Sequence, residues 1–112
     1  MNTTEYLLIC FSEECAEVAH EISKALRFGL QEVMPGQPLT NEERIAREFV
    51  DLLAVYEILE MERYLPKIFN FIDFDQDALQ KQKKVRAFMN CAQKVGTLTF
   101  STSSPLLKEL EE

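Results

Sequence analysis

Apolar residues recur along most of the chain at intervals of three and four, and strand-like alternation is nowhere sustained, so the pattern predicts α-helices. The first helix is expected from Thr3 or Thr4 to about Phe28, where Gly29 acts as a C-terminal breaker. Gly36, close to Pro35 and Pro38, marks a loop. Thr40 followed three residues later by Glu43 has the form of a capping box, which opens a second helix from about Asn41 to Tyr64, before Pro66. The apolar segment Lys67 to Phe74 fits either one helical turn or a packed loop. Asp73 or Asp75 then caps a third long helix that reaches Val95 and ends at Gly96, with Ala78, Val85, Phe88, Met89, Ala92 and Val95 as its apolar side. Thr97 to Ser104 reads as loop, and Ser104-Pro105 opens a short last helix over Leu106, Leu107 and Leu110. The expectation is an all-α helical bundle of about four to five helices. It forms a single domain over residues 1–112, with 97–112 as a C-terminal loop and short helix.

A chain of 112 residues builds only a small core, which self-association into a homodimer or homotetramer would enlarge. The formal charge of −7 repels phosphate backbones and anionic lipid, so nucleic acid is not an expected partner. Three cysteines without C-x-x-C spacing suggest neither a disulfide framework nor a zinc site. Leu7 to Phe11 is the only apolar run near the N-terminus, and a membrane span needs about 20 apolar residues, so a cytoplasmic protein is expected.

The acidic residues change this picture. On a wheel of about 100° per residue the first helix separates an expected core face, Phe11, Cys15, Val18, Ile22 and Leu26, from a face carrying Glu13, Glu14, Glu17, His20, Glu21 and Lys24, with Glu14 and Glu21 at its edge toward the core. Like charges one turn apart destabilise a helix by about 0.2–0.5 kcal/mol per pair unless a cation neutralises them. Such a run is also what an ordinary solvated face looks like. On the second helix, Glu48 and Asp51 fall in Glu48-Phe49-Val50-Asp51-Leu52-Leu53-Ala54-Val55, apolar almost all round. A carboxylate on a helix largely buried by that segment requires a partner, a metal or a proton, and Arg44 or Arg47 could supply the partner.

Glu14 and Glu17 lie one turn apart, as do Glu48 and Asp51. In antiparallel helices about 8–10 Å apart the four side chains converge on a cage of oxygens, the ligand set preferred by Mg²⁺, with Mn²⁺ as a substitute. Mg²⁺ completes its shell with water and substrate phosphate, which suggests phosphate-ester or anhydride chemistry.

Glu13-Glu14-Cys15-Ala16-Glu17 followed by Glu48-Phe49-Val50-Asp51 resembles the E-E-x-x-E and E-x-x-D signature of the MazG-like, all-α nucleoside triphosphate pyrophosphohydrolases. Lys24-Ala25-Leu26-Arg27-Phe28-Gly29, Thr40-Asn41-x-Glu43-Arg44 and Asp51-Leu52-Leu53-Ala54-Val55 look like segments of the small bacterial and phage-type members, and the similarity runs from about Glu13 to Gly96. The resemblance implies a dimeric or larger helical enzyme that uses Mg²⁺ to cleave nucleoside triphosphates between the α and β phosphates, releasing monophosphate and pyrophosphate. Carried over by position, Glu14, Glu17, Glu48 and Asp51 are its metal ligands. Glu13 matches the motif's first acid, and its part in orienting a ligand or activating water stays open. Thirty residues separate Glu17 from Glu48, a little more than the family's usual interval, which makes the loop around Pro35 to Pro38 an extension near the substrate mouth.

A triphosphate also demands cations. Lys24 on the acidic face, Arg27 one turn later and Arg44 two turns before Asp51 are the candidates near the acids. Lys84, from the cluster Lys81, Lys83, Lys84 and Arg86, is the candidate from the third helix, where the resembling proteins bring a lysine to phosphate. Glu17-Val18-Ala19-His20 has the form used by di-iron bundles, but the chain's single histidine cannot build such a site within one subunit. The competing function is a non-catalytic helical module whose acidic face pairs with a basic partner.

Overall fold

The computed structural model describes residues 1–71 and 73–99. They are all-α, with four helices and no strand. They fall into two compact units, Met1–Lys67 and a second beginning at Ile68.

The first unit is a hairpin of α1 (Thr3–Phe28) and α2 (Asn41–Met61). α1 starts at Thr3, as expected, and Asn2 caps it: its side chain accepts from Glu5 N–H at 2.8 Å, and the Glu5 carboxylate accepts from Asn2 N–H at 3.3 Å. At the other end the Gly29 N–H donates to Ala25 O at 2.8 Å. Gly29 has φ +105°, and a Cβ there would stand 3.1 Å from Glu32 Cγ, so the stop favours glycine both by conformation and by space.

The capping box at α2 forms as expected, with Glu43 N–H donating to Thr40 Oγ1 at 3.2 Å and Thr40 N–H donating to the Glu43 carboxylate at 3.0 Å. The loop is stitched to this helix start. Leu30 O and Glu32 O accept from the N–H groups of Glu42 and Asn41, both at 2.8 Å, and the Asn41 side chain donates to Gly29 O at 2.8 Å. First-turn amides that lack helical partners are thereby satisfied by the preceding chain. Asn41 is fully buried.

α2 stops at Met61, short of the expected Tyr64. Arg63 adopts φ +62°, and the Tyr64 and Leu65 N–H groups both turn back to Leu59 O, at 2.9 and 3.3 Å. That left-handed step costs a non-glycine residue about 1–2 kcal/mol and ends the helix before Pro66 is reached. Tyr56 then ties the exit segment by donating its hydroxyl to Pro66 O at 2.9 Å.

The two helices run antiparallel. The Phe11 and Tyr56 rings meet at 5.7 Å towards one end, and Asn41 holds Gly29 at the other. Ala25 and Leu59 are the buried hydrophobic residues, flanked by half-buried Leu7, Phe11, Val18, Leu52 and Val55. This corrects the expected core face of α1. Cys15, Ile22 and Leu26 are exposed, Leu26 by 81%, whereas Glu21 is buried. The seam is rotated towards the carboxylates, because Glu21 has an arginine to meet across it.

In the second unit α3 (Ile68–Phe71) resolves the apolar segment after Pro66 as a single helical turn. Phe69 packs edge-on against Phe74 at 5.5 Å. Asp73 caps α4 (Phe74–Lys94), accepting from Gln76 N–H at 3.2 Å. Ala78, Met89 and Ala92 on its expected apolar side are half-buried, but Val85, Phe88 and Val95 are exposed. The short helix expected after Ser104-Pro105 lies outside the described residues. Among the described residues no helix is long and apolar enough to cross a membrane.

Candidate metal centre

The α1–α2 pairing decides which acids meet. Glu21 faces Arg44 across the seam, and two turns back on α1, at Glu14, the partner is two turns forward on α2, at Asp51. Glu14, Glu48 and Asp51 each bring one carboxylate oxygen within 4.8 Å of the other two. Oxygens that bind one Mg²⁺ at about 2.1 Å lie at most about 4.2 Å apart, and around Ca²⁺ at about 2.4 Å the limit is about 4.8 Å. Small side-chain rotations would suffice for these three hard oxygen donors to reach one divalent ion. The donor set fits Mg²⁺ or Mn²⁺ and offers no soft ligand.

Glu17, the fourth expected ligand, is exposed and stands outside this triad, but the same register sets it opposite Glu48, and its charge acts there. Burial pushes the Glu48 carboxyl above the ordinary range, and the negative charges of Asp51, Glu17, Glu14 and Glu21 add to the shift in that order. Asp51 itself is exposed. The desolvation expected at Asp51 is thus found at half-buried Glu48, because Asp51 sits on the solvent edge of the seam and Glu48 nearer its middle. Glu13, also exposed, is not part of the triad.

The expected phosphate-binding cations are placed differently from one another. Arg44 Nη2 donates to Glu21 Oε1 at 2.8 Å, and Lys24 Nζ reaches the same oxygen at 3.4 Å. Arg27 lies over the Phe28 ring, 5.2 Å from its centroid, a cation–π contact at the end of α1. Lys84 is exposed on α4, in the second unit.

Two residues of the hairpin escaped the sequence reading. The wheel sets Glu21 at the core-side edge of the acidic face but gives it no partner, and only the two-turn offset of Arg44 from Asp51, matched by that of Glu21 from Glu14, could have paired it. Asn41 was read only as the first residue after a cap. Surface hollows at Glu60–Lys67 and beside Met1–Leu7 do not include the triad.

Comparison with protein-family profiles, curated proteins and solved structures gives no match to this chain.

Proposed function

We propose that the protein is a Mg²⁺-dependent nucleoside triphosphate pyrophosphohydrolase, cleaving NTP or dNTP between the α and β phosphates to give monophosphate and pyrophosphate. The observation that carries the reading is the convergence of Glu14, from the first acidic motif, with Glu48 and Asp51, from the second. The resemblance of those motifs to the MazG-like enzymes supports it.

In this reading Glu14, Glu48 and Asp51 hold the ion, and Glu17, whose charge already acts on Glu48, joins them by rotation of its side chain. Bound there, Mg²⁺ supplies polarisation of the phosphoryl oxygens and a water of lowered pKa. Glu48 would hold the ion as a carboxylate, so ion and proton compete for it at pH values below its raised pKa. Glu13, exposed on α1 beside Glu14, is the candidate to orient or deprotonate the attacking water. Lys24, Arg27, Arg44 and Lys84 are the candidates to meet the phosphates. The exposed apolar side chains of the hairpin, among them Leu26, Phe49, Val50 and Leu53, favour a homodimer or homotetramer. The expected setting is the cytoplasm.

The exposure of Asp51 favours one other reading, an acidic module that binds a basic partner without catalysis. The two separate in one assay. Incubation with canonical and modified nucleoside triphosphates plus Mg²⁺ should release pyrophosphate, and Asp51→Asn should cut turnover by more than about 100-fold, beyond the loss typical of residues that merely support a ligand. Release of orthophosphate, or undiminished turnover in Asp51→Asn, would sink the hydrolase reading.

A further inference from the structure

Glu21 is the acid of the seam that neither acidic motif contains, and it is the most deeply buried, 2% exposed. Its Oε1 takes two cations, Arg44 and Lys24, while its Oε2 is buried with no hydrogen-bond partner. A carboxylate serving only to neutralise an arginine does so best with both oxygens against the guanidinium fork. Here Arg44 engages Glu21 through one nitrogen, and a second cation shares the same oxygen. One negative and two positive charges leave this cluster with a surplus positive charge. Arg44 precedes Glu48 by one turn, about 6 Å along the helix axis. Glu21 is close enough for its charge to act on Glu48. Surplus positive charge therefore borders the stretch of surplus negative charge formed by Glu14, Glu17, Glu48 and Asp51.

We propose that Glu21 is a positioning residue, which holds Lys24 and Arg44 beside the acidic triad as a fixed pair of cations for the phosphate tail of a metal-bound polyphosphate. This rests on the hydrolase reading for its substrate but makes a separate claim about which groups grip the tail. Glu21 touches neither the ion nor the reacting phosphorus. It acts by preventing its two cations from folding onto the empty acids or out into solvent.

The probe is inorganic triphosphate with Mn²⁺, followed by calorimetry, with Mn²⁺ alone measured separately by electron paramagnetic resonance. Glu21→Gln is expected to bind Mn²⁺ as the wild type does but triphosphate about tenfold more weakly, the scale on which groups supporting a ligand act. In turnover the loss should fall on KM, with kcat changing much less. Arg44→Lys should show the same pattern, and the double variant should be no worse than the weaker single one, because both changes break one unit. Lys24→Met leaves the Glu21–Arg44 bond in place and provides the test if Glu21→Gln fails to fold; it too should weaken triphosphate and spare Mn²⁺. Wild-type triphosphate affinity in a folded Glu21→Gln or in Lys24→Met, or losses from Glu21 and Arg44 that simply add, would overturn the proposal. Binding of Mn²⁺ and triphosphate without release of pyrophosphate would instead sink the hydrolase reading and leave the cation pair standing. A wild-type protein that binds no triphosphate overturns both.

Discussion

Two neighbouring stretches of one helix seam handle negative charge in opposite ways. Around Glu21 the protein supplies its own counter-charge, with Arg44 at 2.8 Å and Lys24 at 3.4 Å from a single oxygen. Two turns away Glu14, Glu48 and Asp51 crowd within 4.8 Å, and half-buried Glu48 is held above its ordinary pKa by burial and by the other acids. The helices, the spacing and the residue type are the same; the difference is whether a cation is built in. Where it is, the carboxylate can be buried and lock the fold. Where it is not, the acids stay at half-buried or exposed positions and keep a standing repulsion that a cation from solution would relieve.

The contrast is broken most severely by Arg44→Ala. That change leaves buried Glu21 with only Lys24, at 3.4 Å, and should destabilise the hairpin by about 3 kcal/mol, measurable by urea unfolding. Glu48→Gln removes a repelling charge instead and should leave the metal-free protein as stable as before or more so. If the two substitutions cost the same, the division of the seam into a locking and a binding stretch is wrong.

Mg²⁺ sharpens the comparison from the other side. At a concentration of about 100 times its dissociation constant it should stabilise the wild type by about 2.7 kcal/mol, read as a rise in Tm. Asp51→Asn should lose most of that rise, whereas Lys24→Met should keep it.

The smallest effect is on pH dependence. Because the folded pKa of Glu48 lies above its unfolded value, its contribution favours the fold below the ordinary carboxylate range and is lost as pH rises through that range to the raised value. Metal-free stability should therefore carry a falling component over that window, removed by Glu48→Gln. Glu43 has the opposite sign. Its pKa is lowered by hydrogen bonds from the Thr40 backbone and hydroxyl, so its contribution is present above the ordinary range and lost as pH falls through the lowered value. Apparent Mg²⁺ affinity should weaken by up to about tenfold per pH unit as pH falls below the Glu48 pKa, since one proton must leave for the ion to enter.

Much of this hairpin is legible in the amino-acid pattern. The end of α1 at Phe28, the start of α2 at Asn41 and the meeting of Glu14 with Glu48 and Asp51 follow from caps, breakers and one-turn spacings, which are local signals. The rotation of α1 about its own axis is not legible. A wheel sets Leu26 in the core and Glu21 only at the edge of the polar face, yet Glu21 is buried and Leu26 exposed, because the choice depends on an arginine 23 positions away. The same holds for the cations. By sequence Lys24 fits phosphate and Arg44 fits either phosphate or an acid of α2, but their joint engagement with Glu21 is a tertiary fact. The early stop of α2 depends on Arg63 entering a backbone region that its side chain does not advertise.

The buried amide of Asn41, tied to Gly29 far from the acids, has a consequence for them. Sliding one helix past the other by a turn, about 5.4 Å, would carry Arg44 from Glu21 to Glu17, quenching part of the repulsion among the acids at the expense of buried Glu21. The tether at the closed end of the hairpin weighs against that slip. Together with the Glu21–Arg44 bond, a single asparagine thus acts as a ratchet pawl, keeping the acids in the alignment in which they meet.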